Sequence, residues 1–336
     1  MQRHSPGRYW GRIAILIVTY NRLSLLKECV AAIREQTHQA AGVIIVDNHS
    51  TDGTAEYLAG LEEDPFVRVI TSEENLGGAG GFELGVGEAL GKRKSSALCE
   101  ADPVDFDWLI LIDDDAMLEP DFIEKMEGAV ASHPDHRLFA GAVKCDGRID
   151  TNHRRNIKSR MIFSEEWISA DRYDKPFTCD MATFCGLMIS RDIMEKAGAP
   201  RGDYFIWYDD SEYCLRCERE AEALGYSGHI MVVPDAVIDH KSRPVEPEGD
   251  ILMRTDWRSY YGWRNRYDVA KRYLGSITAL VVKCEYIVLR AKSRMMARSK
   301  DETVKKQGEF NVKMITDVLT DISKNEFGVR EEYQRS

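Results

Sequence analysis

Residues 108–115 read Trp108-Leu109-Ile110-Leu111-Ile112-Asp113-Asp114-Asp115, an unbroken apolar run that ends on three carboxylates. A run this short, bounded by acid on its far side, has the pattern of a strand buried on both faces. Upstream, residues 13–18 form a second such run between Gly11 and Asn21, and residues 23–36 place Leu25, Leu26, Cys29, Val30 and Ile33 at helical spacing. Strand then helix recurs at 43–46 and 54–61 around the turn 47–53, and a third strand at 67–70 precedes a glycine-rich turn and helix. This alternation predicts an α/β fold, a mostly parallel central sheet flanked by helices. Ligands of such sheets bind at the carboxyl ends of the strands, where Thr19, Asp47 and Asp113 to Asp115 all fall.

The nucleotide-binding half is therefore expected over about residues 11–138. A mixed half follows at 139–256, with strands near 138–143, 183–189 and 230–233 and helices at 190–197 and 210–224. Beyond 257 the chain turns to helices rich in Arg, Lys, Tyr and Met. The expected division is a catalytic domain at 1–256 and a C-terminal helical region at 257–336.

Composition narrows the function. The 336 residues are 43% hydrophobic and 30% charged, an ordinary globular balance. A net charge of −11 argues against general nucleic-acid binding, which needs basic side chains against phosphate. The longest apolar runs fall far short of the roughly 18 residues of a spanning helix, and the polar stretch 1–10 lacks secretory character. The expected location is cytoplasmic. The 8 cysteines are scattered and read as reduced thiols; Cys214 and Cys217 have no second pair at zinc-finger spacing.

Three adjacent carboxylates at a buried strand end repel one another, and a hard divalent cation would relieve them. If the strand continues, Asp113 and Asp115 converge while Asp114 faces away. The bland alternative is an acidic cluster at the start of a helix near 118–121. The turn 75–81 (Asn75-Leu76-Gly77-Gly78-Ala79-Gly80-Gly81) fails as a dinucleotide fingerprint, since Glu83 stands where the third glycine belongs, and no P-loop lysine follows. It remains a loop whose backbone, at Gly78 for instance, can approach a ligand and lead into a helix N-terminus. Asp209-Asp210 follows Trp207-Tyr208 and reads either as a helix cap or as a general base beside an aromatic platform. His240, after a short strand, reads as a surface or core histidine or as a metal ligand.

Taken in order, the segments 18–22 (Val-Thr-Tyr-Asn-Arg), 46–54, 113–115, 209–210 and His240 resemble glycosyltransferase family 2, the inverting nucleotide-sugar enzymes of GT-A fold, over about residues 13–267. The 75–82 turn and the 207–213 segment look most like bacterial galactofuranosyltransferases, and rhamnosyltransferases share much of the pattern. The resemblance implies that Thr19, Asp47, Asn75, Gly78, Asp113 and Asp114 line the nucleotide-sugar site, and that Asp113, Asp115 and His240 hold Mn²⁺ or Mg²⁺. It implies Asp210 as catalytic base, with Trp207, Tyr208 and Asp209 shaping the acceptor site, although the family more often has a small residue where Tyr208 stands. The partners implied are a UDP-sugar donor, expected to be UDP-galactofuranose, and a bacterial cell-surface or lipid-linked glycan acceptor. The same-class alternative is a rhamnosyltransferase using dTDP-rhamnose. A nucleotidyltransferase would want a basic triphosphate loop, and 75–81 has no Lys or Arg; an inactive sugar-binding module would not need Asp209 and Asp210. The sequence leaves the oligomeric state open.

From residue 274, Ile277, Leu280, Val281, Cys284, Ile287, Val288 and Ala291 follow helical spacing, and 283–300 holds six basic residues against one acid. Such a helix either lies on an anionic lipid surface, at the inner face of the cytoplasmic membrane, or packs on the catalytic domain with its charged side solvated. The cluster Tyr260-Tyr261 and Trp263-Arg264-Asn265 ahead of this helix reads as packing, with contact to donor or acceptor as the alternative.

Overall fold

A computed structural model of the chain describes residues 11–92, 104–242 and 250–334; the polar start at 1–10 lies outside the described residues. Its first strand, β1 (Ile13–Thr19), is buried along its whole length. Ile13, Ile15 and Ile17 join one apolar cluster, and Ala14, Leu16 and Val18 join another. Side chains alternate along a strand, so a strand with no polar position must be covered on both faces. Parallel to β1 run β2 (Val43–Asp47), which in turn pairs β3 (Val67–Thr71), and, on the other side, β4 (Trp108–Asp113). The helices α1 (Leu23–Arg34), α2 (Thr54–Ala59) and α3 (Gly77–Ala89) make the crossovers.

Past β4 the sheet becomes mixed. The short β5 (Ala116–Leu118) precedes α4 (Phe122–Ser132) and β6 (Leu138–Cys145), and β7 (Arg148–Ile149) folds back on β6. Next come β8 (Arg154–Ser159) and β9 (Ser164–Trp167), a hairpin that forms a small second sheet with β11 (Met181–Ala182), and β10 (Phe177–Cys179). β12 (Leu187–Ser190) lies antiparallel between β4 and β6, followed by α5 (Arg191–Ala197) and α6 (Asp209–Ala223). Finally β13 (Ile230–His240) runs parallel to β6, and its end pairs with β5. The sheet order is β10-β13-β6-β12-β4-β1-β2-β3. The expected strand at 183–189 shrinks to β12, because Gly186, at φ +81°, breaks the run. The expected short strand at 230–233 instead runs on through a bulge to His240.

Two local readings change. No helix starts at 118–121: β5 occupies 116–118 and α4 begins at Phe122. The glycine turn is shorter than 75–81, since α3 begins at Gly77. Two of the α3 glycines serve helix–sheet contact: a Cβ on Gly81 would lie 2.5 Å from Val18 Cγ1, and one on Gly85 2.4 Å from Leu16 Cδ1. Only glycine lets α3 approach β1 this closely.

The C-terminal helices are α7 (Trp257–Val269), α8 (Ser276–Met296) and α9 (Glu302–Lys324). A third apolar cluster joins Tyr260, Tyr261, Tyr273, Tyr286, Met314 and Val318 to Tyr204, Phe205 and Leu215 of the preceding half. The aromatic cluster is thus packing, as expected. In α8 the buried positions are Thr278, Ala279, Val282, Tyr286 and Ser293. The expected apolar face points the other way, with Ile277 and Leu280 at 74% and 59% exposure. No helix among the described residues is long and apolar enough to cross a membrane. Cys214 and Cys217 are buried free thiols on α6.

Candidate active site

At the carboxyl ends of β1 and β4 the chain leaves a cavity of about 470 Å³. Thr19, Asn75, Gly78, Asp113 and Asp114 of the expected set stand on its wall, joined by Tyr20, Arg22, Asn48, Phe205, Ile206, Trp257 and Arg258. Asn48 builds one side. Its amide donates to Asn75 Oδ1 (3.0 Å) and the Gly77 carbonyl (2.9 Å), and its Oδ1 accepts from Leu76 N at 2.9 Å. Gly78 has open space where a Cβ would stand. Asp47 sits beside Thr19 in register, buried, its Oδ1 accepting from Ser50 N at 3.0 Å; it is not among the residues lining the cavity.

The three aspartates separate at the end of β4. Because the strand stops at Asp113, Asp114 does not face away: its Oδ2 accepts from the Thr19 hydroxyl at 2.7 Å, and Arg22 Nη1 reaches its Oδ1 at 3.3 Å. Arg22 also donates to Asp115 at 2.7 Å, Ser242 Oγ hydrogen-bonds the same Asp115 oxygen, and His240 Nε2 lies 3.3 Å from Asp115 Oδ1. Burial first, then Asp115 and Asp114, push Asp113 up to about 7. Burial likewise raises Asp114 to about 6, against the opposing Thr19 and Arg22. Burial acts on Asp115 in the same sense, yet His240, Ser242 and Arg22 hold it far below the carboxylate range. His240 is raised, since Asp115 outweighs the desolvation that acts against its charge.

His240 arrives at the end of β13 and meets two residues that sequence reasoning missed. Asp150, His153 and His240 offer ligand atoms that all lie within 4.8 Å of one another. Asp150 caps a single helical turn at 151–153 and lies 3.2 Å from His153 Nε2, while His153 Nδ1 meets Thr183 Oγ1 at 2.8 Å. The Asp-x-x-His spacing at 150–153 was the available signal. The donor set fits a divalent cation. Ligands of an octahedral ion at about 2.2 Å stand about 3.1 Å apart when adjacent and about 4.4 Å apart when opposite, a range that matches ligand atoms within 4.8 Å of one another. His240 Nδ1 is buried with no hydrogen-bond partner among the described residues.

The acceptor-side candidates stand at the N-terminus of α6. Phe205, Trp207 and Tyr208 all have φ between 63° and 67°, a left-handed conformation costly for bulky residues and typical of functional loops. Asn265 of α7 holds this loop: its amide donates to the carbonyls of Tyr204 (3.0 Å), Ile206 (3.1 Å) and Trp207 (2.8 Å). The half-exposed Trp207 ring rests on Gly262, where a Cβ would lie 2.6 Å away. Tyr208 donates to Glu165 at 3.0 Å. Asp209 is buried, and that burial together with Asp210 raises it well above the carboxylate range. Asp210 Oδ1 accepts from Ser211 Oγ at 2.8 Å and lies 3.5 Å from Arg155, whose other carboxylate neighbour is Glu165 at 3.6 Å. Phe205 and Ile206, at the start of this loop, line the same cavity as Asp113. Arg22, Arg155, Trp257 and Arg258 carried no sequence signal that assigned them here.

Comparison with known proteins gives this geometry a context. The model of glycosyl transferase family 2 matches residues 14–198. The chain is 28% identical to dTDP-rhamnosyl transferase RfbF of Shigella flexneri, over 76% of this chain and 79% of that protein. It is 24% identical to galactofuranosyltransferase GlfT1 of Mycolicibacterium smegmatis, over 63% and 67% respectively. Among solved structures, GalNAc-T7 with UDP, GalNAc and Mn²⁺ superposes with a TM-score of 0.58 at 14% identity, covering 93% of this chain and 57% of that one. S. aureus TarS 1–349 with UDP-GlcNAc superposes at 0.52 and 13%, covering 92% and 81%. These superpositions show the GT-A fold.

Proposed function

We propose that this chain, which belongs to glycosyl transferase family 2, transfers a sugar with inversion from a nucleoside diphosphate donor to a hydroxyl of a bacterial cell-surface or lipid-linked glycan, working at the inner face of the cytoplasmic membrane. One observation carries the reading: a cavity walled by Thr19, Asn75, Gly78 and the Asp113–Asp114 strand end adjoins a strained aromatic loop that ends on Asp209 and Asp210. Residues 1–256 would bind donor and acceptor. The helical region 257–336 would complete the site through Trp257 and Arg258 on the cavity wall and Asn265 behind the loop.

In the proposed reaction the acceptor oxygen attacks the anomeric carbon as the bond to the diphosphate oxygen breaks, and its electron pair leaves with the nucleotide. Asp210 takes the acceptor hydroxyl proton, a contribution of about 10²- to 10⁴-fold. Asp209, beside Asp210 at the start of α6, would face the acceptor, and Trp207 offers a ring face to a sugar. Arg22 and Arg258 at the cavity bring positive charge toward the diphosphate. Asp115 and His240, with Asp113 or the Asp150–His153 pair, would hold Mn²⁺ or Mg²⁺. When bound, the ion supplies Lewis-acid stabilisation of charge on the departing diphosphate.

The motifs favour UDP-galactofuranose as donor. A second reading, dTDP-rhamnose, draws more support from the comparisons, because the rhamnosyl relative aligns over 76% of this chain and the galactofuranosyl relative over 63%. Slow hydrolysis of a panel of nucleotide sugars separates the two. Asp210→Asn should keep nucleotide binding and lose transfer about 10²-fold or more; wild-type transfer in that variant would exclude the assignment. Retention of anomeric configuration in the product would exclude single displacement.

A further inference from the structure

We propose that the solvent face of α8 and the turn between β8 and β9 form one surface that docks on an anionic lipid bilayer and so sets the acceptor side of the site beside a lipid-linked glycan. The second half of this statement rests on the acceptor reading above; the first does not.

Helix α8 turns the usual arrangement inside out. Its buried side mixes small and polar residues with two larger ones: Thr278, Ala279, Val282, Tyr286 and Ser293 are covered. At 100° per residue, Ile277, Leu280, Cys284, Val288, Ala291 and Met295 fall within an arc of about 80°. That arc faces water, with Ile277 at 74%, Val288 at 54% and Met295 at 66% exposure. A continuous exposed apolar stripe marks a contact surface.

Charge identifies what it contacts. On the same projection Lys292 lies on one flank of the stripe and Lys283, Arg290 and Arg294 on the other. The helix's one acid, Glu285, is paired with Arg266 at 2.9 Å. The chain as a whole carries −11, so this basic, apolar face reverses the charge of the molecule that bears it. An apolar stripe with basic flanks matches acyl chains below anionic headgroups. A second copy docking through the same stripe would bring like-charged flanks together.

The surface continues toward the chemistry. Thr278 Oγ1 donates to the Arg160 carbonyl at 2.9 Å, and the Arg160 guanidinium donates to the Tyr273 carbonyl at 3.2 Å, tying the β8–β9 turn to the start of α8. That turn exposes Met161 (67%) and Ile162 (47%). From it, about 17 Å of extended chain leads along β9, past Glu165, to the half-exposed Trp167. Arg155 lies 5.0 Å from the Trp167 ring, 3.6 Å from Glu165 and 3.5 Å from Asp210. One short strand thus links the proposed lipid contact to the proposed base.

The test is flotation of the full chain with vesicles of phosphatidylcholine alone or mixed with phosphatidylglycerol, without donor or acceptor. The chain should float with the mixed vesicles and release as salt rises. Leu280→Glu and Val288→Glu should each weaken partition about tenfold or more, Met161→Glu/Ile162→Glu should weaken it as well, and Lys292→Ser or Arg294→Ser about fivefold each. In a Cys99→Ser background, an environment-sensitive dye on the exposed Cys284 should shift to the blue on the mixed vesicles. Absence of flotation, equal partition to both vesicle types, unaltered binding by the glutamate variants, or a dye that stays in water while the protein floats would overturn the proposal. So would sedimentation showing a dimer that those variants dissociate. Asp210→Asn should float like the wild type, so failure of the transfer reading and failure of docking appear in different measurements.

Discussion

Replacing Asn265 tests whether one buried amide holds the acceptor loop in shape. Asn265 is fully buried, and its two N–H groups serve three carbonyls, those of Tyr204, Ile206 and Trp207, at 2.8 to 3.1 Å. Arg264 Nε fixes the amide from behind by donating to Asn265 Oδ1 at 3.1 Å. The loop includes three bulky residues at positive φ, each costing on the order of 1–3 kcal/mol unless its surroundings impose it. Losing two buried donors at about 1–1.5 kcal/mol each should destabilise Asn265→Ala by about 2–3 kcal/mol. Release of the loop should lower transfer about 10²-fold, the scale of a 1 Å misplacement of reacting groups. Asn265→Asp separates this from simple loss of volume. It keeps the shape but presents an oxygen to three carbonyl oxygens, so it should be at least as unstable as the alanine variant. Urea unfolding followed by tryptophan fluorescence reads the stability, and nucleotide release on adding acceptor reads the rate. Should Asn265→Asp unfold within about 0.5 kcal/mol of the wild type, the amide is filling space and the bracing argument is wrong.

Asp150→Ala should weaken Mn²⁺ binding about 10- to 100-fold by freeing His153, and His240→Ala should weaken it further; titration calorimetry on the apo-protein reads both, and equal affinities would remove the Asp150–His153 pair from the site. Burial, with Asp180 and Glu222 nearby, raises Glu218 well above the carboxylate range, and its Oε1 has no hydrogen-bond partner among the described residues. The native state thus binds this proton more tightly than the unfolded chain, so stability falls as pH rises from about 4.3 toward the raised value, by about 1.4 kcal/mol per unit. Glu218→Gln should therefore melt near the wild type at about pH 4.5 and above it at about pH 8, and coincident melts at the higher pH would contradict the sign. Gly85→Ala places a Cβ 2.4 Å from Leu16 Cδ1 and should cost about 1–3 kcal/mol, whereas Gly78→Ala, with open space, should leave the melting temperature alone and show itself only in nucleotide affinity.

The parallel half was legible because its strands are apolar throughout, a pattern that leaves no choice but burial on both faces; β1, β2 and β4 fell where their runs predicted. Legibility failed where a residue's meaning depends on a partner distant in sequence. The glycines of 77–85 look like a ligand loop, yet Gly81 and Gly85 answer to Val18 and Leu16. The stripe on α8 was visible as a period, but the period alone could not say which side faces water; the side with Val282 and Tyr286 does the packing, and α9 lies against the helix. Arg22 was quoted within a motif without a role, and Asn265 within a packing cluster, since nothing local announces that one bridges two aspartates and the other braces a loop 60 residues upstream.

Three consecutive aspartates suggest a block of three equal negative charges, and the fold denies that. Asp113 is pushed to about 7 and Asp114 to about 6 by burial, while Asp115 is held down by His240, Ser242 and Arg22. These partners come from two distant strand ends: Arg22 follows β1, while His240 ends β13 and Ser242 lies just beyond it. The triplet is therefore graded: burial raises Asp113 and Asp114, while the partners of Asp115 lower it. A cation binds most favourably where charge is already present and need not be created against burial. In the proposed site Asp115 has a further advantage, because its Oδ1 already stands 3.3 Å from His240 Nε2, so that two donors from distant strand ends are brought together before any ion arrives.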